Sequence, residues 1–208
     1  MAKKFVKSYD NFLEVDLINQ IENYAQQCSA QTVWGSSHAW EFRVKRFTPP
    51  ISVLILPDKF SIPIQNQLLK KTSLTWKKNN PPLKSMYYLW PPGGYIGWHD
   101  DGKYEFASMI YLNPTWNMEW GGLFIHEDSK GHGFRAEAPA FNKCLINEGG
   151  VPHTVSRLTP DAPLRRIILT FGPVLSKVSD RIAAEKKWKA WRLKHKMDYV
   201  PSQSFNER

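Results

Sequence analysis

A mainly β protein with flanking helices, built on a β-sandwich or barrel in its second half, is the fold class this sequence predicts. Three observations support it. From Ser85 to Val174 the chain reads as short apolar segments divided by turns, at spacings of roughly 8 to 15 residues. Aromatics make up 13% of the chain, with nine Trp, which favours sheets and pockets over a plain helix bundle. At 208 residues and 42% apolar the chain can bury one full core, so one domain with a short extension is expected.

Taken in order, "KKFVKSYDNF" reads as a short strand leading to Asp10 or Asn11. In "FLEVDLINQIENYAQQ" the apolar positions 12, 13, 15, 17, 18 and 21 predict a helix of about four turns. The alternation around "WEFRVKRF" and the apolar run "ISVLILP" predict two strands, bounded by Pro49, Pro50 and Pro57. A second helix is expected over "IPIQNQLLKKTSLTW", and "NNPPLK" then breaks the chain. The strands that follow are "MYYLW", "YIGWH", "FASMIYL", "GGLFIHE", "KCLINE", "HTVSRL" and "RRIILTFG". No internal repeat is visible.

No apolar run approaches the roughly eighteen residues a membrane span needs, and "MAKKFVKSYDNF" has no apolar signal region behind its lysines. A soluble, cytoplasmic chain is therefore expected. Cys28 and Cys144 are far apart and form no Cys-x-x-Cys, which argues against a disulfide framework or a thiolate zinc site. The net charge of +9 resembles a nucleic-acid signature until it is located. From Lys177 to Arg208 there are nine Lys/Arg against four Asp/Glu, so the tail carries about five of the nine excess charges. Within it Ile182, Trp188, Trp191 and Leu193 recur at roughly helical spacing. The favoured expectation is a helix that docks its Trp face and exposes its lysines, with nucleic-acid binding as the alternative.

Two triplets place a histidine two residues before an aspartate: His99-Asp100-Asp101 and His126-Glu127-Asp128. In an extended segment residues i and i+2 share a side, so His99 and Asp101 can aim at one ion while Asp100 points away. Two imidazoles and one carboxylate on one face of an octahedron suit non-haem Fe(II). His153, which starts a late strand, is the natural third ligand. Arg165 or Arg166 follows twelve or thirteen residues later, and an arginine inside a barrel demands an anionic partner, best a carboxylate.

With "YDNFL", "WPPGGYIGWHDD", "MIYLNPTW", "GGLFI", "VPHTV" and "RRIILTFG" in that order, the sequence from about Phe5 to Pro173 resembles the 2-oxoglutarate and Fe(II)-dependent dioxygenases, in their prolyl-hydroxylase-like branch. The resemblance implies a double-stranded β-helix, the jelly-roll or cupin-like core. It implies a domain over 1–175, with helical support over 10–75 and the jelly roll over about 84–174, and a basic helical extension over 176–208. It implies Fe(II) held by His99, Asp101 and His153, with the second triplet left in a variable loop. His38, His132 and His195 are expected at the surface or in loops.

The family pairs a strand Arg with a hydroxyl residue on the same face to hold the distal carboxylate of 2-oxoglutarate. That pattern favours Arg166 with Thr170 and leaves Arg165 as an outward charge. Tyr111 matches the tyrosine that reaches the same carboxylate in this branch. At Trp90, nine residues before His99, the chain departs from the Tyr common there, and Tyr88 on the same strand face is the candidate substitute. The implied reaction takes Fe(II), 2-oxoglutarate and O2 to succinate, CO2 and a hydroxylated substrate, with ascorbate a candidate accessory reductant. A peptidyl residue, proline first, is the expected substrate. Nucleic-acid dealkylation is an alternative, although demethylating relatives carry a second Arg six residues after the first, where this chain has Gly172. A small metabolite, or a non-catalytic jelly-roll binding role, are the others.

Overall fold

The computed structural model describes residues 6–30, 35–37, 51–74, 82–128, 133–175 and 177–197. The expected strand at "WEFRVKRF" lies outside them. The elements run β1 (Val6–Tyr9), α1 (Val15–Ala30), β2 (Gly35–Ser37), β3 (Ile51–Ile55), α2 (Asp58–Lys71), β4 (Ser85–Trp90), β5 (Ile96–His99) and β6 (Phe106–Tyr111). Then come β7 (Phe124–Glu127), β8 (Phe134–Glu137), β9 (Cys144–Glu148), β10 (His153–Val155), β11 (Arg165–Phe171) and α3 (Val178–Lys194). Every strand pairing is antiparallel. A seven-stranded sheet, β1-β9-β6-β11-β4-β3-β2, faces a four-stranded one, β5-β10-β7-β8.

The two-residue period of the strands sorts the core into two halves. From the large sheet, Tyr87, Phe106, Ile110, Cys144, Ile146 and Ile168 point to the helices, where they meet Phe12, Ile18, Ile21, Ile64 and Leu68. The opposite faces of the same strands, with Trp90, Met109, Tyr111, Leu145 and Ile167, point to the small sheet and meet Phe124 and Val155. The layers are thus helices, large sheet, small sheet, with a cavity between the sheets.

Helix α1 starts at Val15, later than the apolar spacing suggests, because Phe12 and Leu13 enter the core as extended chain. Asn142 holds them there. Its Oδ1 accepts from the Leu13 N–H and its Nδ2 donates to the Leu13 carbonyl, each at 2.8 Å. Helix α2 starts four residues earlier than expected, accommodates Pro63, and stops at Lys71 with Thr72 Oγ1 donating to the Leu68 carbonyl. Cys28 and Cys144 are both buried and free. No helix among the described residues is long and apolar enough to cross a membrane.

Helix α3 covers the outer face of the small sheet. Trp191 meets Trp98 of β5 at 5.2 Å between ring centroids, and Trp98 meets Phe134 of β8 at 4.9 Å. Trp188 stacks on Trp191 at 5.3 Å. His195 belongs to this aromatic group, 4.5 Å from Trp191. The expected apolar stripe needs one correction: Ile182 and Leu193 are exposed, at 54% and 67%. Trp188 and Trp191 fill most of the contact, and the two aliphatics stay outside. Trp191→Ala is expected to lower the unfolding free energy by about 3 kcal/mol, as for other buried aromatics cut to alanine. Leu193→Ala should change it by less than about 0.5 kcal/mol, and denaturant titration of both variants checks the docking face.

Candidate metal centre

The register of the small sheet builds the centre. Antiparallel pairing sets His153 of β10 directly opposite His99 of β5, and their rings lie 4.0 Å apart between centroids. Asp101, two residues beyond His99, completes the group. His153 Nε2 is 3.4 Å from Asp101 Oδ2, and His99 Nε2 is 3.9 Å from Asp101 Oδ1. All three residues are buried, and one ligand atom from each lies within 4.8 Å of the others. Among the described residues this is the one such cluster.

Both histidines are set for a cation by the same device. His99 Nδ1 faces the Gly97 carbonyl at 2.8 Å and His153 Nδ1 faces the Val151 carbonyl at 2.8 Å. A carbonyl only accepts, so each Nδ1 carries the proton and each Nε2 keeps its lone pair toward Asp101. Burial, with His153 alongside, pushes the His99 imidazole down to about 3, so it stays neutral. Burial alone would raise the Asp101 carboxyl, but the His153 imidazole, and after it His99, holds it below the usual range. The same carboxylate raises His153 against the opposing effect of its burial. Between these groups positive charge is favoured, and two imidazole nitrogens with one carboxylate oxygen are the donor set of a non-haem Fe(II) site.

The loops close tightly here. A Cβ on Gly149 would run into the Tyr104 carbonyl oxygen, and Gly150 has φ +83, a region that suits glycine. The turn before His153 therefore presses against the loop that carries Asp101. That loop is tied to the end of β11 by Glu105 N–H to the Pro173 carbonyl, 2.9 Å, and Leu175 N–H to the Lys103 carbonyl, 2.8 Å.

Alternation continues past β5. His99, Asp101 and Lys103 line the cavity. Trp98 meets α3, and a Cβ on Gly102 would lie 2.8 Å from Asp100 Oδ2 and 3.3 Å from the Ala184 Cβ of α3. Asp100 thus turns away from the ligands, as its position predicts, yet is only 2% exposed because α3 covers that side. His126 sits opposite His153 on β7 but stays outside the cluster, its Nδ1 donating to the Glu127 carbonyl at 3.0 Å. His38 and His132 lie outside the described residues.

The cavity holds about 330 Å³, within the range of small-molecule sites, and its walls are mainly apolar: Ile51, Ile96, Phe124, Val155, Ile167 and Leu169. Tyr88 and Trp90 both line it, and burial raises the Tyr88 phenol to about 12. Tyr104 stacks on Phe171, centroids 4.4 Å apart, and both belong to the lining.

The face assigned to the arginines is reversed. Ile167, Leu169 and Phe171 line the cavity, so Arg165 shares their face, while Arg166 and Thr170 turn to the helices. Arg166 Nη1 donates to Glu22 Oε2 at 2.8 Å, and the Thr170 hydroxyl pairs with Ser85 Oγ at 2.7 Å. A hydroxyl two turns of the pleat away was a weak guide, because Thr170 serves a strand partner instead. Arg165 is fully buried. Its Cζ lies 5.0 Å from the Trp90 ring centroid and 5.1 Å from that of Tyr111, and its Nη2 is 3.4 Å from Met109 Sδ. Its Nε and Nη1, the Tyr111 hydroxyl and the Trp90 indole nitrogen are all buried without a hydrogen-bond partner. Among the described residues no carboxylate pairs with this cation. Burial lowers the guanidinium, but an arginine remains charged. Four convergent donors around an uncompensated buried cation fit the carboxylate of an anionic ligand.

Sequence reasoning also passed over Asn147, a cavity residue beside His153. Its signal was available, as the uncharged polar residue two after Leu145 on the inward side of "KCLINE".

No protein-family model and no curated protein matches the sequence. Solved structures do resemble the fold. A prolyl-4-hydroxylase from Pseudomonas putida aligns over 81% of this chain and 92% of its own, at 16% identity and TM-score 0.60. A prolyl hydroxylase from Trichoplax adhaerens, solved with a peptide of the hypoxia inducible factor oxygen degradation domain, aligns over 80% and 83%, at 17% identity and TM-score 0.60. An oxidoreductase of the 2-oxoglutarate–Fe(II) oxygenase family from Burkholderia pseudomallei aligns over 81% and 83%, at 14% identity and TM-score 0.50. At such identities the likeness is one of fold: the jelly-roll core expected from the sequence is the architecture present.

Asp101→Ala is expected to weaken Co(II) binding by more than about a hundredfold, beyond the ten- to hundredfold typical of losing an outer partner of a ligand. Asp100→Ala should leave most of that affinity in place. Calorimetric titration of both variants tests the register.

Proposed function

We propose that this protein is an Fe(II)- and 2-oxoglutarate-dependent dioxygenase that hydroxylates a peptidyl residue, proline first. The observation that carries the reading is the uncompensated Arg165, buried against Trp90 and Met109, two residues that line the cavity holding His99, Asp101 and His153. A cation site in an apolar enclosure, with an unpaired buried guanidinium packed against two residues of its wall, suits a metal together with an anionic cosubstrate.

On this reading His99, Asp101 and His153 hold Fe(II). Arg165 takes the distal carboxylate of 2-oxoglutarate, assisted by the Tyr111 hydroxyl and the Trp90 N–H. Trp90 then replaces the missing tyrosine with a different donor, and Tyr88 lines the wall beside it. When bound, the metal and 2-oxoglutarate supply O2-dependent oxidation that yields succinate, CO2 and a hydroxylated substrate. The chain itself orients the two ligands and excludes water through its apolar walls, which strengthens the contacts to Arg165. Support for a peptide comes from the Trichoplax adhaerens structure, whose fold is shared and which binds a peptide. The cavity lining, with stacked Tyr104 and Phe171, offers aromatic surface to a projecting apolar ring. Nucleic-acid dealkylation has the basic tail behind it, and the Trp side of that helix is committed to the small sheet.

Purified protein supplied with Fe(II), ascorbate, 2-oxoglutarate and a peptide library is expected to form succinate and to add the mass of one oxygen atom to particular peptides. Succinate no higher than in an Asp101→Ala control, across all substrates, would sink the reading. Arg165→Ala should weaken 2-oxoglutarate binding by about a hundredfold, the scale of removing one partner of a buried charge pair. Arg166→Ala should leave that binding nearly unchanged and cost about 1 kcal/mol of stability through Glu22. Equilibrium binding of 2-oxoglutarate to the metal-loaded protein separates the two.

A further inference from the structure

The inward side of β9 is apolar at Leu145 and polar at Asn147. Asn147 is 3% exposed and lines the cavity. Its amide nitrogen stands 3.1 Å from His153 Nδ1, while its Oδ1 is buried with no hydrogen-bond partner. Leaving a buried polar atom unpaired costs about 1–3 kcal/mol. An apolar residue would fill the wall without that cost, so the presence of an amide calls for a reason.

The reason lies in what His153 Nδ1 can face. The Val151 carbonyl, 2.8 Å away, fixes a proton on that nitrogen. A protonated Nδ1 needs acceptors, and an amide NH2 is a donor only. The group of Asn147 that belongs against His153 is therefore its oxygen. Amide nitrogen and oxygen exchange places by a half-turn of the side-chain end, and their hydrogen-bond partners decide between the two. With the half-turn, the oxygen shares the Nδ1 proton with Val151 and is no longer unpaired. As placed, the NH2 also faces the Asp101 carboxylate, so the half-turn exchanges that donation for the acceptor that His153 requires.

We infer that Asn147 is a positioning residue of the metal centre: its amide oxygen holds the proton on His153 Nδ1, and with it the ring, so that Nε2 presents its lone pair beside Asp101. This rests on the reading that the three ligands bind a divalent metal. The role differs from that of a ligand, since Asn147 acts through His153, and from that of a core filler, since it depends on an oxygen acceptor.

Co(II) serves as the probe, with its dissociation constant measured by calorimetry and its coordination by visible absorption, in the absence of any substrate. Asn147→Leu, which fills the apolar wall, and Asn147→Ala are both expected to weaken Co(II) by about ten- to hundredfold and to alter its spectrum. Asn147→Asp keeps the oxygen acceptor and should stay within about threefold of the parent with an unchanged spectrum. Parent-like binding by the Leu and Ala variants would overturn the role of Asn147, and so would an Asp variant as weak as Leu. A parent protein that takes up no Co(II) would instead overturn the metal reading, and this inference with it.

Discussion

The antiparallel pairing of β5 with β10 sets His153 opposite His99, and a slip of one strand by one residue would turn its imidazole out of the cavity. Much of the protein fixes that register. The inner faces of the large sheet supply the floor against which Phe124 and Val155 pack. Gly149 and Gly150 let the turn before His153 press on the loop that carries Asp101. Helix α3 closes the other side, meeting Trp98 by its ring and crowding Gly102 with Ala184. The segment from 98 to 103 is thus gripped from both faces, with ligands inward and anchors outward.

Inside that grip two electrostatic demands of opposite sign remain open. The pair of imidazoles and Asp101 favour a cation; Arg165 favours an anion, and no described side chain provides one. An unpaired buried charge is costly, by several kcal/mol after relaxation. A chain selected for stability alone would remove it. Here the residues that break the rules of a good core gather at one enclosure: Asn147 and the two histidines line it, and Arg165 packs against Trp90 and Met109 of its wall. Local violations of this kind gather at functional sites and are offset by what binds there.

The strands and the pairing of His99 with Asp101 on one face were legible because both depend on short periods. His99 and Asp101 share a face by a spacing of two, and the apolar segments from "MYYLW" to "RRIILTFG" all became strands. What failed depended on partners far away in sequence. The alternation of β11 put Arg165 and Arg166 on opposite faces, but which face met the cavity turned on pairing with β4, where Trp90 stands opposite Arg165. Thr170 looked like a companion for Arg166 in the site, and both instead serve the helix side. β8 went unread because "FRAE" is polar and short, and its Phe134 is explained by distant partners, Trp98, Trp191 and His195. Helix ends moved for local reasons: Phe12 and Leu13 were apolar enough to extend the pattern of α1, yet Asn142 holds them as extended chain.

The basic tail shows how a charge signature changes meaning once its apolar residues are placed. Trp188 and Trp191 are buried, and Arg192 lies over the Trp188 ring at 5.2 Å, so part of the positive charge belongs to the docked face. The lysines at 186, 187, 189 and 194 stay exposed. Charges of that kind act over about 8–10 Å in physiological salt, enough to bias the approach of an acidic segment and too diffuse to read a sequence. The aromatic side of the helix supports β5, and β5 carries His99. The composition of the tail, rich in both Trp and Lys, therefore follows from one task in the described structure: to hold the outer positions of the ligand strand while remaining compatible with water on its far side.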